Sequence, residues 1–289
     1  MRRNFLFIIV TCVLFTACKN KKNPVTTIQN KKIETPKRVS INYSLLVSKD
    51  SINAFLKLQD SATLQVIGAV NRADVKFLKK FDSLLVPLNT KEVLQQYFPF
   101  PFHAAFLKNV KKIIFFSYPS QSFAAYENGE LVYTGPTNMG RKADQTPTGL
   151  FYTNWKAEET TSTFNDEWNL KWNFNIENKL GVGFHEYEMP GYPTSHSCLR
   201  LSEKDAKYLY AWADQWNLQG TDNVLAKGTP VVVFGAYPFG SSKPWLALVQ
   251  NERTMEITEE NLQTTVQQFL PDILQKQAQR DSMDIIPAK

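Results

Sequence analysis

The residue types that could do chemistry gather in one short stretch. Histidine occurs only at positions 103, 185 and 196, and cysteine only at 12, 18 and 198. Gly183-Phe184-His185-Glu186 is followed by Ser195-His196-Ser197-Cys198-Leu199-Arg200, which puts two imidazoles and a thiol within fourteen residues. A thiol is a weak nucleophile until it loses its proton, and a neighbouring imidazole can take that proton. Zinc ligation is a second use of these residue types, but His-x-Cys with no second cysteine pair and no obvious fourth ligand matches no usual zinc spacing. A third reading makes both histidines hydrogen-bonded core residues and Cys198 a small buried hydrophobe. Each residue alone fits that bland description, whereas Cys–His nucleophilic chemistry accounts for the cluster together.

The surrounding elements must hold these groups. Leu180 to Phe184 is strand-like and would give His185 a rigid seat at its end. After the thiol, Ser202-Glu203-Lys204-Asp205 reads as a capping-box-like helix start. Ala206, Leu209, Tyr210, Ala213 and Trp216 then recur at three- and four-residue spacing, one face of an amphipathic helix, so Cys198 sits on the turn that feeds a helix N-terminus. Strands dominate the rest. Ile113 to Ser117 is an apolar run, and Val231 to Phe234 is another, just after the turn residues Gly228-Thr229-Pro230. Ser122 to Tyr126 and Leu131 to Thr134 flank Glu127-Asn128-Gly129-Glu130, a strong hairpin signal. The aromatic run Trp168 to Phe174 either lines a groove or fills a core. The composite is a mainly β domain over residues 112–238.

The segment Ser195-His196-Ser197-Cys198-Leu199-Arg200 resembles the Ser/Thr-His-Gly-Cys-apolar-Arg/Asn motif of YkuD-type L,D-transpeptidases. As in that family, a strand ending in an apolar residue and His precedes it, here Phe184-His185. The resemblance runs from Ser122 to Phe234. It takes in Ala125-Tyr126-Glu127-Asn128-Gly129-Glu130-Leu131-Val132, the Thr146-Pro147-Thr148-Gly149-Leu150-Phe151 turn, Asp205-Ala206 to Tyr210, and the closing Gly228-Thr229-Pro230-Val231 strand. It implies a β-sandwich or barrel with a short helix after the nucleophile. It also implies that Cys198 attacks the meso-diaminopimelate–D-Ala carbonyl of a peptidoglycan stem peptide, forming a thioester that an amine then resolves. His185, oriented by a backbone carbonyl, would take and return the proton, with His196 as a second polar group. Backbone N–H groups around Ser197 and Cys198 would form the oxyanion hole. Ser195, Ser197 and Arg200 would face the substrate, with Arg200 either pairing a carboxylate or acting as a structural clamp. No metal or organic cofactor is implied. Two departures stand out. Ser197 replaces the family's Gly, which asks whether the backbone there takes a glycine-type conformation. The His185-to-Ser195 gap is short, which implies a trimmed lid.

Two rival functions share these residues: a hydrolase of the same fold (an L,D-endopeptidase, carboxypeptidase or amidase), and an idle cell-wall-binding lipoprotein. The second draws on residues 43–104, read as a small α+β unit. There Gln65 to Asp74 and Phe77-Leu78 suggest two helical turns, and Asp82 to Pro87 an apolar strand. The pattern resembles a degenerate LysM module, a glycan binder, with Phe81 where a Gly is usual; a small domain that only packs on its neighbour is the other reading. Tyr97 to Pro101 is a linker with aromatic anchors. A tail over 239–289 carries a helical pattern beginning near Thr258, with Leu262, Val266, Phe269, Leu270, Ile273 and Leu274 on one face, interrupted at Pro271. Docking on the domain is its default reading.

Arg2-Arg3 followed by the apolar Phe5 to Phe15 reads as a signal segment too short to span a bilayer as a mature helix. Phe15-Thr16-Ala17-Cys18 resembles the lipobox of bacterial lipoproteins. The expectation is a signal peptide at 1–17, a lipidated Cys18 and a basic tether over 18–42. Cys198 is then the single thiol of the mature chain, so no internal disulfide framework is available, although export implies an oxidising compartment. Residues 1–39 hold nine Lys or Arg and one acid, leaving 24 basic and 26 acidic residues over 40–289. The pI near 9.0 therefore belongs to the tether. It suits an anionic membrane surface and argues against nucleic acid as a partner. The expected location is the cell envelope, lipid-anchored and facing the periplasm.

Overall fold

The computed structural model describes residues 37–162 and 169–284. The expected signal segment, Cys18, most of the tether and Trp168 lie outside them. The described residues form one compact unit.

The first part runs β1 (Tyr43–Leu46), α1 (Lys49–Leu56), α2 (Ser61–Val70), α3 (Val75–Leu78), β2 (Leu84–Pro87). Ser48 and Asp60 start α1 and α2 by accepting the Ser51 and Thr63 amides, satisfying N–H groups that have no partner within the helix. β1 and β2 pair antiparallel, Tyr43 opposite Pro87 and Leu46 opposite Leu84. Ile52, Ile67, Leu78, Phe81, Leu84 and Val86 form its core. The expected helical turns and closing strand are present. The first strand carries no strong sequence signal, because Tyr43–Leu46 is half-buried and short.

The second part contains β3 (Ile113–Ser117), β4 (Ser122–Glu127), β5 (Glu130–Pro136), β6 (Gly149–Tyr152), β7 (Lys156–Thr161), β8 (Asn169–Glu177), β9 (Val182–Glu186), β10 (Leu199–Leu201), α4 (Glu203–Trp212), β11 (Asn217–Gln219), β12 (Asn223–Ala226) and β13 (Pro230–Phe234). Five strands form one sheet in the order β5-β4-β3-β13-β6, and four form another, β10-β9-β8-β7. Asn128 (φ 49°) and Gly129 (φ 84°) turn the β4–β5 hairpin, both left-handed as a two-residue turn of this twist requires. A side chain at Gly129 would also collide with the Ala104 carbonyl, 2.6 Å from an ideal Cβ.

Phe116, Phe123, Phe174, Phe184, Leu199, Leu209 and Val233 fill the space between the two sheets. On the outer face of the larger sheet, Ile113, Phe115, Tyr126 and Val232 pack under Phe100, Leu107 and Val110 and under α5 (Glu259–Val266) and α6 (Leu270–Asp284). Burial on both faces explains why β3 and β13 read as unbroken apolar runs.

Three details depart from expectation. α4 ends at Trp212, where Ala213 turns to an extended conformation, so Trp216 lies beyond it. The tail is two helices, not one interrupted pattern. Thr258 caps α5 with a full capping box, Pro271 falls in the first turn of α6 where proline is tolerated, and Leu274 remains 38% exposed. Ahead of them, a 3-10 turn at Pro244–Val249 seats Trp245, fully buried against Leu85 of the first part. Arg72 ties the two parts beside Trp245. Its guanidinium is buried, donates to Ser120 O (2.8 Å) and Val70 O (2.7 Å), and lies between the rings of Phe98 and Trp245.

Candidate active site

β9 and β10 run parallel, with Leu199 opposite Phe184, Arg200 opposite His185 and Leu201 opposite Glu186. Strand side chains alternate, so Phe184, Leu199 and Leu201 enter the core while His185, Cys198 and Arg200 share the other face. His185, Tyr187, Ser195, His196, Cys198 and Arg200 line one recess with Ser162 and Leu170. Ser162, Leu170 and Cys198 also wall a second cavity of about 270 Å³, with Trp155, Thr160, Asn173, Asn175 and Gly181. The thiol stands where the two meet, its Sγ 3.7 Å from Gly181 O.

His185 lies inside β9, not at its end, and is 3% exposed. Its Nδ1 is 2.8 Å from Glu186 O. A carbonyl only accepts, so Nδ1 carries the hydrogen and Nε2 keeps a free lone pair. Burial holds the imidazole down to about 4, the Arg200 charge adds to this, and the Glu186 bond opposes it. Burial pushes the Cys198 thiol up, with the Gly183 backbone and Arg200 pulling the other way. Both shifts favour the uncharged form. At rest the recess thus holds a neutral thiol and a neutral imidazole, so thiolate is generated only as a proton is accepted.

Ser197 sits at φ 76°, left-handed, so the replacement of Gly does not abolish the glycine-type conformation. A serine there costs on the order of 1–3 kcal/mol, which the surrounding bonds must offset. Its Oγ donates to its neighbour's carbonyl, His196 O (2.5 Å), and the buried Ser195 donates to Cys198 O (2.5 Å). Both hydroxyls thus close the turn around the thiol. The left-handed kink also means that His196 does not follow Cys198 along an extended strand, yet both line the recess. His196 Nε2 lies 3.9 Å from Asp144, which also pairs with Arg141.

Arg200 is half committed. Nη1 donates to Glu188 O and Thr194 Oγ1 (3.2 Å each), and the guanidinium lies 4.5 Å from the centre of the Tyr187 ring. Nε and Nη2 have no partner among the described residues, so both readings of this residue coexist in it. In the aromatic run, Phe174 is core and Trp172 packs on Tyr210, while Leu170 and Asn173 line the cavities. The pattern expected of a single groove wall is therefore split between core and site.

Asn138 was not evident from sequence. It exchanges backbone bonds with Arg200, donates through its side chain to Tyr192 O and accepts from Thr194 N (3.2 Å) and Thr194 Oγ1 (2.9 Å). Nothing in its local sequence marks it, because all its partners are distant in the chain. Among the described residues no group of three His, Cys, Asp or Glu is arranged to hold a metal ion.

A chain with this thiol–imidazole face on a parallel strand pair is similar to a known catalytic class. Residues 111–233 match the model of the YkuD family, the L,D-transpeptidase catalytic domain. Several solved structures are similar over part of the chain. The L,D-transpeptidase from Stackebrandtia nassauensis is 23% identical over 44% of this chain and 57% of its own, with a TM-score of 0.36. One from Mycobacterium smegmatis is 18% identical over 43% and 59% (0.35). One from Mycobacterium tuberculosis H37Rv is 20% identical over 43% and 58% (0.35). The chain thus spans less than two thirds of these relatives, and at such scores the likeness carries no argument alone. No curated protein matches the sequence.

Proposed function

We propose that the protein is a cysteine acyltransferase of the cell envelope, an L,D-transpeptidase acting on peptidoglycan stem peptides. The observation that carries this reading is a thiol that lines the same recess as a neutral imidazole whose Nδ1–H is fixed on Glu186 O, leaving Nε2 free to accept. In the proposed first step, Nε2 takes the thiol proton as Sγ adds to the donor carbonyl carbon. Backbone N–H groups at the Ser197 turn stabilise the oxyanion. The tetrahedral intermediate collapses with His185 returning the proton to the leaving D-alanine amine, giving a thioester. An amine acceptor then attacks the thioester, His185 takes the amine's proton and the thiol is restored with it. Cavities on both sides of Cys198 suit a reaction whose donor and acceptor must reach one sulfur in turn. Arg200, with two unspent donors at the recess, suits a donor carboxylate. The meso-diaminopimelate donor, lipid anchorage at Cys18 and glycan binding by the LysM-like unit belong to the same reading.

Incubating the full chain with a carbapenem and weighing it tests the proposal. A single acyl adduct on the parent protein and none on Cys198→Ala is expected. Absence of an adduct, or one that survives the substitution, overturns the enzyme reading in favour of a non-catalytic wall-binding protein. Muropeptide products then separate transfer from hydrolysis, new cross-links marking the former and shortened stems the latter.

A further inference from the structure

The loop that joins His185 to Cys198 does not hang free: the first part of the protein grips it. Asp74 is the N-cap of α3, yet its carboxylate makes no capping bond within that helix. It reaches across and accepts the Met189 amide at 3.0 Å, while the Asp74 amide donates to Met189 O at 2.9 Å. The neighbouring residues Ala73 and Pro190 form a β-bridge, and Met189 is 2% exposed. Gly191 follows in a left-handed conformation (φ 83°), so close that a Cβ there would lie 2.4 Å from Phe81 Cζ. The opposite side of the same loop holds the recess. Glu188 O and Thr194 Oγ1 both receive Arg200 Nη1, and Arg200 lies on Tyr187, whose ring meets His185 edge-on at 6.0 Å.

We propose that Asp74 is a positioning residue for the active site, fixing through Met189 the loop that seats Arg200 and Tyr187 beside His185. The inference rests on the function proposed above and deepens it: the small α+β part is also a component of the catalytic scaffold. An Asp that gives up its own helix cap for a bond to another segment trades local stability for the placement of that segment. Displacements of about 1 Å at a reacting geometry cost on the order of 10²-fold in rate.

The test uses the full chain and three variants. Asp74→Asn keeps an acceptor of the same length, Asp74→Ala removes it, and Asp74→Ser offers a hydroxyl able to cap α3 but too short to reach Met189. Carbapenem acylation of Cys198 is expected to fall about 10- to 100-fold in the Ala and Ser variants, and to stay within about threefold of the parent in the Asn variant. Amide hydrogen exchange at Met189 should quicken in the first two only. Parent-like acylation in Asp74→Ser, or failure of Asp74→Asn to restore it, overturns the proposal. Should the parent itself resist acylation, the functional reading fails and exchange decides alone. Quickened exchange at Met189 in Asp74→Ser but not in Asp74→Asn supports the positioning role, and unchanged exchange refutes it.

Discussion

At the scale of single residues the site turns on protonation. His185 is held near 4 and the Cys198 thiol above its ordinary range, both chiefly by burial. Because the folded pKa of His185 lies below the unfolded value near 6.5, its contribution to stability is present above about pH 6.5. It is lost as pH falls through 4. Melting temperature should therefore decline between those values, less so in His185→Ala. The same substitution should cut carbapenem acylation by about 10²–10⁴-fold at neutral pH, the usual worth of a general base. His196→Ala, whose imidazole lies toward Asp144, should do less. Rates of both variants beside their melting curves check this order, and a fast, folded His185→Ala would move the base role to His196. The thiol and both histidines were legible in the sequence because few residue types can do their chemistry. Asp144, Asn138 and Asp74 were not, because a carboxylate or amide acquires its role only from partners the fold brings near.

Among the elements, legibility followed periodicity. The β4–β5 hairpin, β3, β13, the start of α4 and the capped start of α5 all carry strong local signals, and each appears where expected. The signal weakens where tertiary contacts decide. Trp216 keeps helical spacing yet lies past the end of α4, since Ala213 is already extended there. Trp245, which no periodic pattern marks, is a fully buried plug against Leu85. Leu274 keeps the spacing of the tail's apolar face but remains 38% exposed. The tail covers the outer face of the five-stranded sheet, so it should matter to stability as core does. Leu262→Ala, at a fully buried position, is expected to cost about 2–5 kcal/mol, readable as a lowered urea midpoint with the slope unchanged. A cost under about 1 kcal/mol would mean that α5 is a loosely held appendage.

The molecule as a whole separates into a nearly neutral body and a basic N-terminal segment. Every residue bearing on the proposed chemistry lies in the body. Cys18→Ser is therefore expected to move the protein from the membrane fraction to the soluble one. Its rate of acylation should stay within about twofold, a change too small to mark loss of any buried contact. Fractionation and the adduct assay run on one preparation check this. A soluble but inactive protein would show that the segment does more than tether. The expected separate boundaries at 104 and 112 did not translate into independence, because Arg72, Trp245 and the Asp74–Met189 bonds cross between the parts, and such crossings leave no periodic trace in sequence.

The pairing of β3 with β13 has a kinetic consequence. These central strands run parallel, Val231 beside Ile114 and Val233 beside Phe116, and β13 alone links β3 to β6. A chain made from its N-terminus must carry Ile113–Ser117 with one edge unpaired until Pro230–Phe234 has been added. Contacts so distant along the chain are slow to form, since the loop between them must close before the pairing rewards it. The nascent chain is therefore expected to carry an open apolar strand edge until its last strand is made, the kind of surface that favours aggregation over folding.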